Sequence, residues 1–326
     1  MRVPEFEVIV PSSLTDAAQF LKTNESRAQL LAGGTDLVVR MKQRTALPAF
    51  LVNLKSISGL TGIRRNSEGN MNIGPLTRLT EIAASPDVSQ QYSELAKAAR
   101  GVGSAQVRNL GTIGGNLCLE TKCYYFDQSS SWWASSDRCR KRGGERCYIL
   151  PASTQGCFAL LSGDTVPALI AYSASVRLTG PASERVIPLE EFYTGKGIGH
   201  LDLKPGEILS DILIPSPDGA RVAFFRYSPR NTIDFAMLTV AVSLRQTPPE
   251  ARIVVGGVAS GPVRCKDAES LLAQNPEGNN ADEVGRLAAE KLRLISWVRG
   301  AVSYRKQMVH VLVRDAVNSL QERAAS

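Results

Sequence analysis

Five of the six cysteines in this 326-residue chain fall within one stretch, where their type and spacing could support metal chemistry. They are Cys118, Cys123, Cys139, Cys147 and Cys157. Four thiolates from one irregular loop can hold an iron–sulfur cubane or a zinc ion. The stretch has no Cys-x-x-Cys pair, which disfavours zinc-ribbon and two-cluster ferredoxin patterns. From the residues alone an iron–sulfur site is favoured, with zinc, disulfides and free thiols as alternatives.

A basic run at residues 138–146 lies among these cysteines. Its five Lys and Arg residues are opposed locally only by Glu145. A cubane with four thiolate ligands carries about two negative charges when oxidised, and this run would offset them. We also expect the run to steer an acidic electron donor, since clustered charge speeds encounter. No nucleic-acid motif accompanies these arginines and the nearby aromatics, so nucleic-acid binding is disfavoured.

Two glycine turns could hold a phosphate-containing cofactor. Gly-Gly-Thr at residues 33–35 follows a short apolar strand, and Gly-Gly-Asn occupies residues 114–116. Such turns can present backbone N–H groups to an anion, and a side chain at Gly114 would then stand where a phosphate must approach. Two turns could clamp both phosphates of one dinucleotide. Neither is a Rossmann fingerprint or a P-loop, which disfavours the usual nicotinamide fold and nucleotide hydrolysis. The candidate residues are Ala32, Gly33, Gly34, Thr35 and Asp36, and Thr112, Gly114, Gly115 and Asn116.

The segments around these turns predict the elements that position them. Ser13 is a candidate N-cap for a helix, with Asp16 three residues on. A strand at residues 29–32 then leads into the first turn, in a βαβ-like lobe. Helices at residues 78–84 and 93–102 lead to the second turn, and residues 166–172 fit a helix or a strand equally well. The other predicted strands are residues 71–73, 175–179, 185–188 and 208–214.

The pattern changes after a Pro/Gly-rich segment at residues 215–219, a plausible domain boundary. Strands at residues 222–227, 236–245 and 252–259 are predicted to precede helices at residues 266–274, 282–294 and 299–322. Strands followed by helices indicate an α+β ending. We therefore predict a domain of residues 1–218, in lobes 1–55 and 56–218, with an insertion at residues 119–160. A second domain of residues 219–326 follows, built as a three-stranded antiparallel sheet with a helical bundle.

The order of the motifs makes the chain resemble the FAD-binding middle subunits of the xanthine dehydrogenase and carbon monoxide dehydrogenase family of molybdenum enzymes. The matching segments are residues 32–36, 112–116, 163–169, 203–215 and 230–236. The resemblance implies a two-lobed FAD-binding fold of the PCMH/VAO-like type. It also implies that Asp164 contacts the ribityl or ring region of FAD, and that Arg230 and Asp234 shape the wall near the isoalloxazine.

The cysteine-rich insertion sets this chain apart from most of that family. It resembles the inserted loop of the β subunits of 4-hydroxybenzoyl-CoA reductases. This resemblance implies a [4Fe–4S] cluster held by Cys123, Cys139, Cys147 and Cys157, with Cys118 unused. The gap between Cys147 and Cys157 is one residue longer here than in those loops.

The resemblance also implies a function and partners. A large molybdopterin subunit and a small [2Fe–2S] subunit would join this chain in a dimer of heterotrimers. Electrons from a ferredoxin-like donor would pass through [4Fe–4S] and FAD to molybdenum, where 4-hydroxybenzoyl-CoA is reduced to benzoyl-CoA. One alternative is a conventional hydroxylase subunit that passes electrons from FAD to NAD or a quinone. Another is a zinc-stabilised interaction module without redox chemistry.

Composition limits the remaining possibilities. A hydrophobic content of 43% suffices for packed cores, and a net charge of +7 is typical of a solvated surface fitted to partners. The sequence has no run of about 18 apolar residues and no apolar signal near its start, which predicts a cytoplasmic protein without a membrane span. Disulfides are rare in the cytoplasm, which disfavours them in the cysteine-rich insertion. The chain has two histidines, His200 and His310, which disfavours a Ser-His-Asp hydrolase and a His-rich metal site.

Overall fold

The computed structural model describes residues 2–153, 156–294 and 300–325. Its strands are β1 (Glu7–Ile9), β2 (Ala28–Leu31), β3 (Phe50–Asn53), β4 (Ile63–Arg65), β5 (Met71–Ile73), β6 (Ser175–Thr179), β7 (Glu184–Pro188), β8 (Ile208–Ile214), β9 (Arg221–Tyr227), β10 (Leu238–Arg245), β11 (Glu250–Gly256) and β12 (Val263–Arg264). Its α-helices are α1 (Leu14–Thr23), α2 (Leu37–Lys42), α3 (Leu79–Ala84), α4 (Pro86–Gln91), α5 (Ser93–Gly101), α6 (Ala105–Leu110), α7 (Ile113–Leu117), α8 (Ser130–Ala134), α9 (Val166–Ala171), α10 (Lys266–Gln274), α11 (Ala281–Lys291) and α12 (Val302–Ala325).

The N-terminal lobe is a parallel βαβαβ unit that carries the first glycine turn, residues 32–36. Its strand order is β1-β3-β2, and both pairings are parallel. Ser13 caps α1 as predicted, since its hydroxyl accepts a hydrogen bond of 3.1 Å from the N–H of Asp16. The first glycine turn connects β2 to α2, so it lies at the carboxyl end of a strand in a parallel sheet.

The second lobe surrounds an antiparallel sheet of order β4-β5-β8-β6-β7. The second glycine turn, residues 112–116, begins α7 after helices α3 to α6. The segment that the sequence left open is helix α9, whose residues are all buried. Pro167 is tolerated in its first turn because N–H groups there need no helical partner. Helix α9 also packs against β10 and β11 of the next domain.

The C-terminal domain pairs an antiparallel sheet with α10, α11 and α12. The prediction of three strands was wrong, since the sheet has the order β12-β11-β10-β9. The strand that was missed, β12, has two residues, too few to produce a periodic signal. The predicted last helix appears as α12, although its expected first residue, Arg299, lies outside the described residues. No helix in the described part of the chain is both long and apolar enough to cross a membrane.

The insertion leaves and rejoins the second lobe at one point. Lys122 and Leu160 form an antiparallel bridge there, with N–H···O distances of 2.7 and 2.8 Å. Between them the chain forms α8, a 3₁₀ turn at Arg140–Arg142 and loops around a small core. That core includes Cys123, Cys139 and Phe126. The insertion is therefore a separate folded loop on the second lobe.

Candidate functional site

Both glycine turns line one cavity of about 750 Å³, which we call the glycine-lined cavity. This volume is typical of cofactor and ligand sites. Eleven of the twelve predicted cofactor-binding residues line it: Ala32, Gly33, Gly34, Thr35, Asp36, Thr112, Gly114, Gly115, Asn116, Asp164 and Asp234. The twelfth predicted residue, Arg230, is not part of the cavity lining. The fold therefore brings together segments from both lobes and from the C-terminal domain.

The first glycine turn has the character of an anion site. Within the described part of the chain, the backbone N–H groups of Gly33, Gly34, Thr35 and Asp36 donate no hydrogen bond. Gly34 has φ of +74°, which glycine adopts at little cost. Consecutive unpaired amides of this kind favour a phosphate or another anion.

The two turns touch each other at Gly33. A Cβ built on Gly33 would lie 2.1 Å from the carbonyl oxygen of Leu110 and 3.0 Å from Cα of Gly111, just before the second turn. Both contacts are with backbone atoms, which cannot rotate away. Glycine is therefore required at position 33 for the two turns to approach each other.

The second glycine turn does not present the free backbone N–H groups that the sequence predicted. The N–H groups of Ile113 and Gly114 donate to the carbonyls of Thr77 (3.0 Å) and Pro75 (2.8 Å). The N–H of Gly115 donates to Oγ1 of Thr112 at 3.1 Å. Because these amides already have partners, the second turn contributes a wall of the cavity rather than a row of free N–H groups.

Gly114 and Asn116 have packing roles that the sequence did not reveal. A Cβ on Gly114 would lie 2.6 Å from Cβ of Pro75, so a side chain there would collide with Pro75 rather than block a phosphate. The amide oxygen of Asn116 accepts hydrogen bonds from the backbone N–H (3.1 Å) and hydroxyl (2.7 Å) of Thr165. Asn116 thereby fixes the position of the adjacent Asp164.

Asp164 is a buried carboxylate in the cavity wall, and its partner is Arg226. Nε of Arg226 donates to Oδ2 of Asp164 at 2.8 Å, while no described residue donates to Oδ1. Burial raises the pKa of Asp164, and the charge of Arg226 opposes that rise. Arg226 also donates to Oγ of Ser228 at 2.6 Å and to the carbonyl of Asp234. Sequence reasoning missed Arg226, whose only signal was a charge near the end of an apolar strand.

The loop at residues 229–235 closes one side of the cavity. Asp234 is buried and lines it, whereas the exposed Arg230 lies 3.6 Å from the carboxylate of Asp234 and donates to the carbonyl of Ile233 at 3.0 Å. Ile233 has φ of +55°, and its N–H donates to the carbonyl of Gly103 at 3.0 Å. The side chains of Ile233 (67% exposed) and Phe235 (42% exposed) also line the cavity. The mouth of the cavity is therefore apolar.

The four predicted metal ligands line a second, separate cavity, which we call the cysteine cavity. Cys123, Cys139, Cys147 and Cys157 all face it, whereas Cys118 lines the glycine-lined cavity. Burial raises the pKa of Cys123 to about 11 and also raises that of Cys157. Thiols in such surroundings become thiolates only when a cation or a metal stabilises the charge.

The donor set of the cysteine cavity suits a thiolate-bound metal, but its spacing is not preformed. The cavity measures about 10 Å³, roughly the room for one water molecule, so a four-iron cluster requires the thiols to move apart. Among the described residues, no three Cys, His, Asp or Glu side chains are arranged to hold a single metal ion. The four cysteines therefore line one cavity, but their side chains are not arranged there around a metal ion.

The basic run of residues 138–146 is mostly structural. Arg140 donates hydrogen bonds of 2.9 Å to three backbone carbonyls within the insertion. Lys141 is buried in an ion pair, and Arg142 stacks over Phe126 and Trp133. Arg138 and Arg146 are exposed. Arg138 and Arg146 are therefore the residues of the run best placed to steer an acidic donor, and this steering stays a prediction.

Comparisons with known proteins identify the family. Residues 4–217 match the FAD binding domain in molybdopterin dehydrogenase, and residues 223–320 match the CO dehydrogenase flavoprotein C-terminal domain. The chain is 28% identical to the 6-hydroxypseudooxynicotine dehydrogenase complex subunit alpha of Paenarthrobacter nicotinovorans, covering 99% of this chain and 97% of that one. It is 30% identical to the aldehyde oxidoreductase FAD-binding subunit of Escherichia coli, covering 77% and 80%. A chain of reconstituted CO dehydrogenase from Oligotropha carboxidovorans superposes with a TM-score of 0.80 at 26% identity, covering 99% and 100%. The chain therefore belongs to the FAD-binding medium subunits of the xanthine and CO dehydrogenase family of molybdenum enzymes.

Proposed function

We propose that this chain holds FAD in the glycine-lined cavity and serves as the electron-transfer subunit of a molybdenum hydroxylase. The observation that carries this proposal is the row of unpaired amides at residues 33–36, beside the buried carboxylate of Asp164 in one large cavity. Bound FAD would supply the exchange between electron pairs and single electrons.

The residues of this chain would bind and shield that cofactor. The amides of the first glycine turn suit the negative charge of a pyrophosphate. The unpaired Oδ1 of Asp164 can accept a hydrogen bond from an N–H or hydroxyl group of the cofactor. The apolar mouth formed by Ile233 and Phe235 would exclude water from the bound ring.

Partner subunits follow from the family and belong to the same proposal. The matched family is that of molybdopterin dehydrogenases, and the relatives named above are subunits of dehydrogenases or oxidoreductases. We propose a large molybdopterin subunit and a small [2Fe–2S] subunit as partners, assembled as a dimer of heterotrimers. Electrons would leave this chain for NAD or a quinone.

A second candidate function is favoured by one observation, the four cysteines around a single cavity in an insertion rich in basic residues. They would hold a [4Fe–4S] cluster that accepts electrons from a ferredoxin-like donor. The complex would then reduce 4-hydroxybenzoyl-CoA to benzoyl-CoA. The names of the relatives support the hydroxylase proposal more directly, because they describe dehydrogenases and an aldehyde oxidoreductase.

Rapid mixing of the purified complex separates the two candidates. The hydroxylase proposal predicts that a reducing substrate bleaches the flavin absorbance and that NAD or a quinone restores it. The second candidate predicts that reduced viologen plus 4-hydroxybenzoyl-CoA yields benzoyl-CoA. A chain that contains zinc and no flavin would contradict both, leaving the zinc-stabilised interaction module.

A further inference from the structure

A chain of alternating charges connects the two cavities. Nζ of Lys122 pairs with Asp36, whose Oδ2 lies 4.0 Å from Nη1 of Arg40. Nη2 of Arg40 lies 3.3 Å from Oε2 of Glu120, and Oε1 of Glu120 lies 2.8 Å from Nζ of Lys141. None of these side chains is more than 26% exposed. Such shielded pairs are screened by solvent much less than surface pairs.

The two ends of this charge chain belong to different sites. Asp36 and Arg40 line the glycine-lined cavity, whereas Lys141 lines the cysteine cavity. Glu120 is the link between them, with one carboxylate oxygen paired toward each side. Although its burial acts in the other direction, the charges of Lys141 and Arg40 hold the pKa of Glu120 below its usual value.

Packing around Glu120 makes the connection stiff. Oγ1 of Thr121 donates to the carbonyl of Gly197 at 2.8 Å, and the N–H of Gly197 donates to the carbonyl of Cys157 at 3.1 Å. A Cβ on Gly197 would lie 2.8 Å from Sγ of Cys157. The buried ring of His200 lies 3.7 Å from Oε1 of Glu120. A displacement of residues 120–121 would therefore reach the wall of the cysteine cavity.

We propose that Glu120 is a positioning residue that couples the two cavities, so that filling the glycine-lined cavity orders the cysteine loop. An anion bound at the first glycine turn would repel the carboxylate of Asp36, which lies 4.0 Å from Arg40, and so favour the pairing of Arg40 with Glu120 at 3.3 Å. That arrangement also fixes Lys141, because the same carboxylate binds both cations. Coupling between two sites is reciprocal, so order at the cysteines would in turn strengthen binding at the glycine turn. This inference rests on the proposal that FAD occupies the glycine-lined cavity.

Thiol alkylation of the full chain tests the coupling without requiring any metal. Wild type, Glu120→Gln and the control Glu145→Gln are treated with iodoacetamide, with and without saturating FAD. Glu145 is an exposed residue of the same loop, so Glu145→Gln removes one negative charge just as Glu120→Gln does. We expect FAD to slow alkylation of Cys139 and Cys157 at least about fivefold in wild type and control, and less than about twofold in Glu120→Gln.

Two further measurements keep the outcomes distinct. FAD fluorescence quenching reports binding in every variant, and Lys141→Gln should abolish the protection as Glu120→Gln does. Equal protection in wild type, Glu120→Gln and Lys141→Gln, with FAD bound to all, would overturn the coupling and leave the FAD proposal intact. Failure of wild type to bind FAD would refute the proposed function itself, and the coupling with it.

Discussion

Replacing Gly33 by alanine should separate the two glycine turns. The new Cβ would lie 2.1 Å from the carbonyl oxygen of Leu110, about 1.3 Å short of the 3.4 Å at which contacts become ordinary. Since the obstructing atoms belong to the backbone on both sides, one turn must move as a unit. The unpaired amides that follow Gly33 would move with it.

The expected loss can be worked from the hydrogen bonds at risk. A hydrogen bond to a charged group contributes about 1.5–3 kcal/mol. Losing one such bond to the cofactor pyrophosphate would weaken FAD binding about ten- to 150-fold. Overpacking of this kind also costs about 1–3 kcal/mol of folding stability, so the thermal midpoint should fall as well.

The assay is titration of deflavinated protein with FAD, followed by fluorescence quenching. Gly180→Ala is the matched control, because a Cβ there would meet its nearest atoms at the ordinary distances of 3.4 and 3.5 Å. Circular dichroism at the titration temperature confirms that both variants are folded. Wild-type FAD affinity in folded Gly33→Ala would refute the assignment of this turn to the phosphate.

Three further predictions address the cysteines, the exposed arginines and Arg226. The second candidate function predicts that Cys118→Ser retains iron, whereas Cys147→Ser loses it and keeps most of its FAD; metal analysis showing the reverse would reassign the ligands. Reversing Arg138 and Arg146 to Glu should slow reduction by an acidic ferredoxin more than by a small neutral dye, and equal slowing would argue against steering. Arg226→Met leaves a buried carboxylate without its cation, so FAD occupancy should fall or the flavin potential should shift; a redox titration with both unchanged would remove Arg226 from the site.

Local signals explain why the sequence predicted the glycine-lined cavity. Gly33 and Gly34 directly follow a strand, and backbone freedom is a property of the residue itself. Whether an amide remains free depends on distant partners, however. The carbonyls of Thr77 and Pro75 occupy the N–H groups of Ile113 and Gly114, and no spacing within residues 112–116 could indicate this.

Charges were the hardest feature to interpret from the sequence. The basic run looks uniform, yet the fold buries Lys141 against Glu120, ties Arg140 to backbone carbonyls and leaves Arg138 exposed. Arg226 was missed for the same reason, because its partner Asp164 lies 62 positions away. Such roles follow from tertiary contacts, which one sequence without a structure does not specify.

Flavin and metal analysis of the anaerobically purified chain tests whether the glycine-lined cavity holds FAD. We expect one FAD per chain, released as free flavin on denaturation. A cluster in the cysteine cavity would add about four irons with matching acid-labile sulfide, and its absence would leave the hydroxylase proposal standing. Folded chain that contains no flavin, and takes up none when FAD is supplied, would refute FAD binding in the glycine-lined cavity.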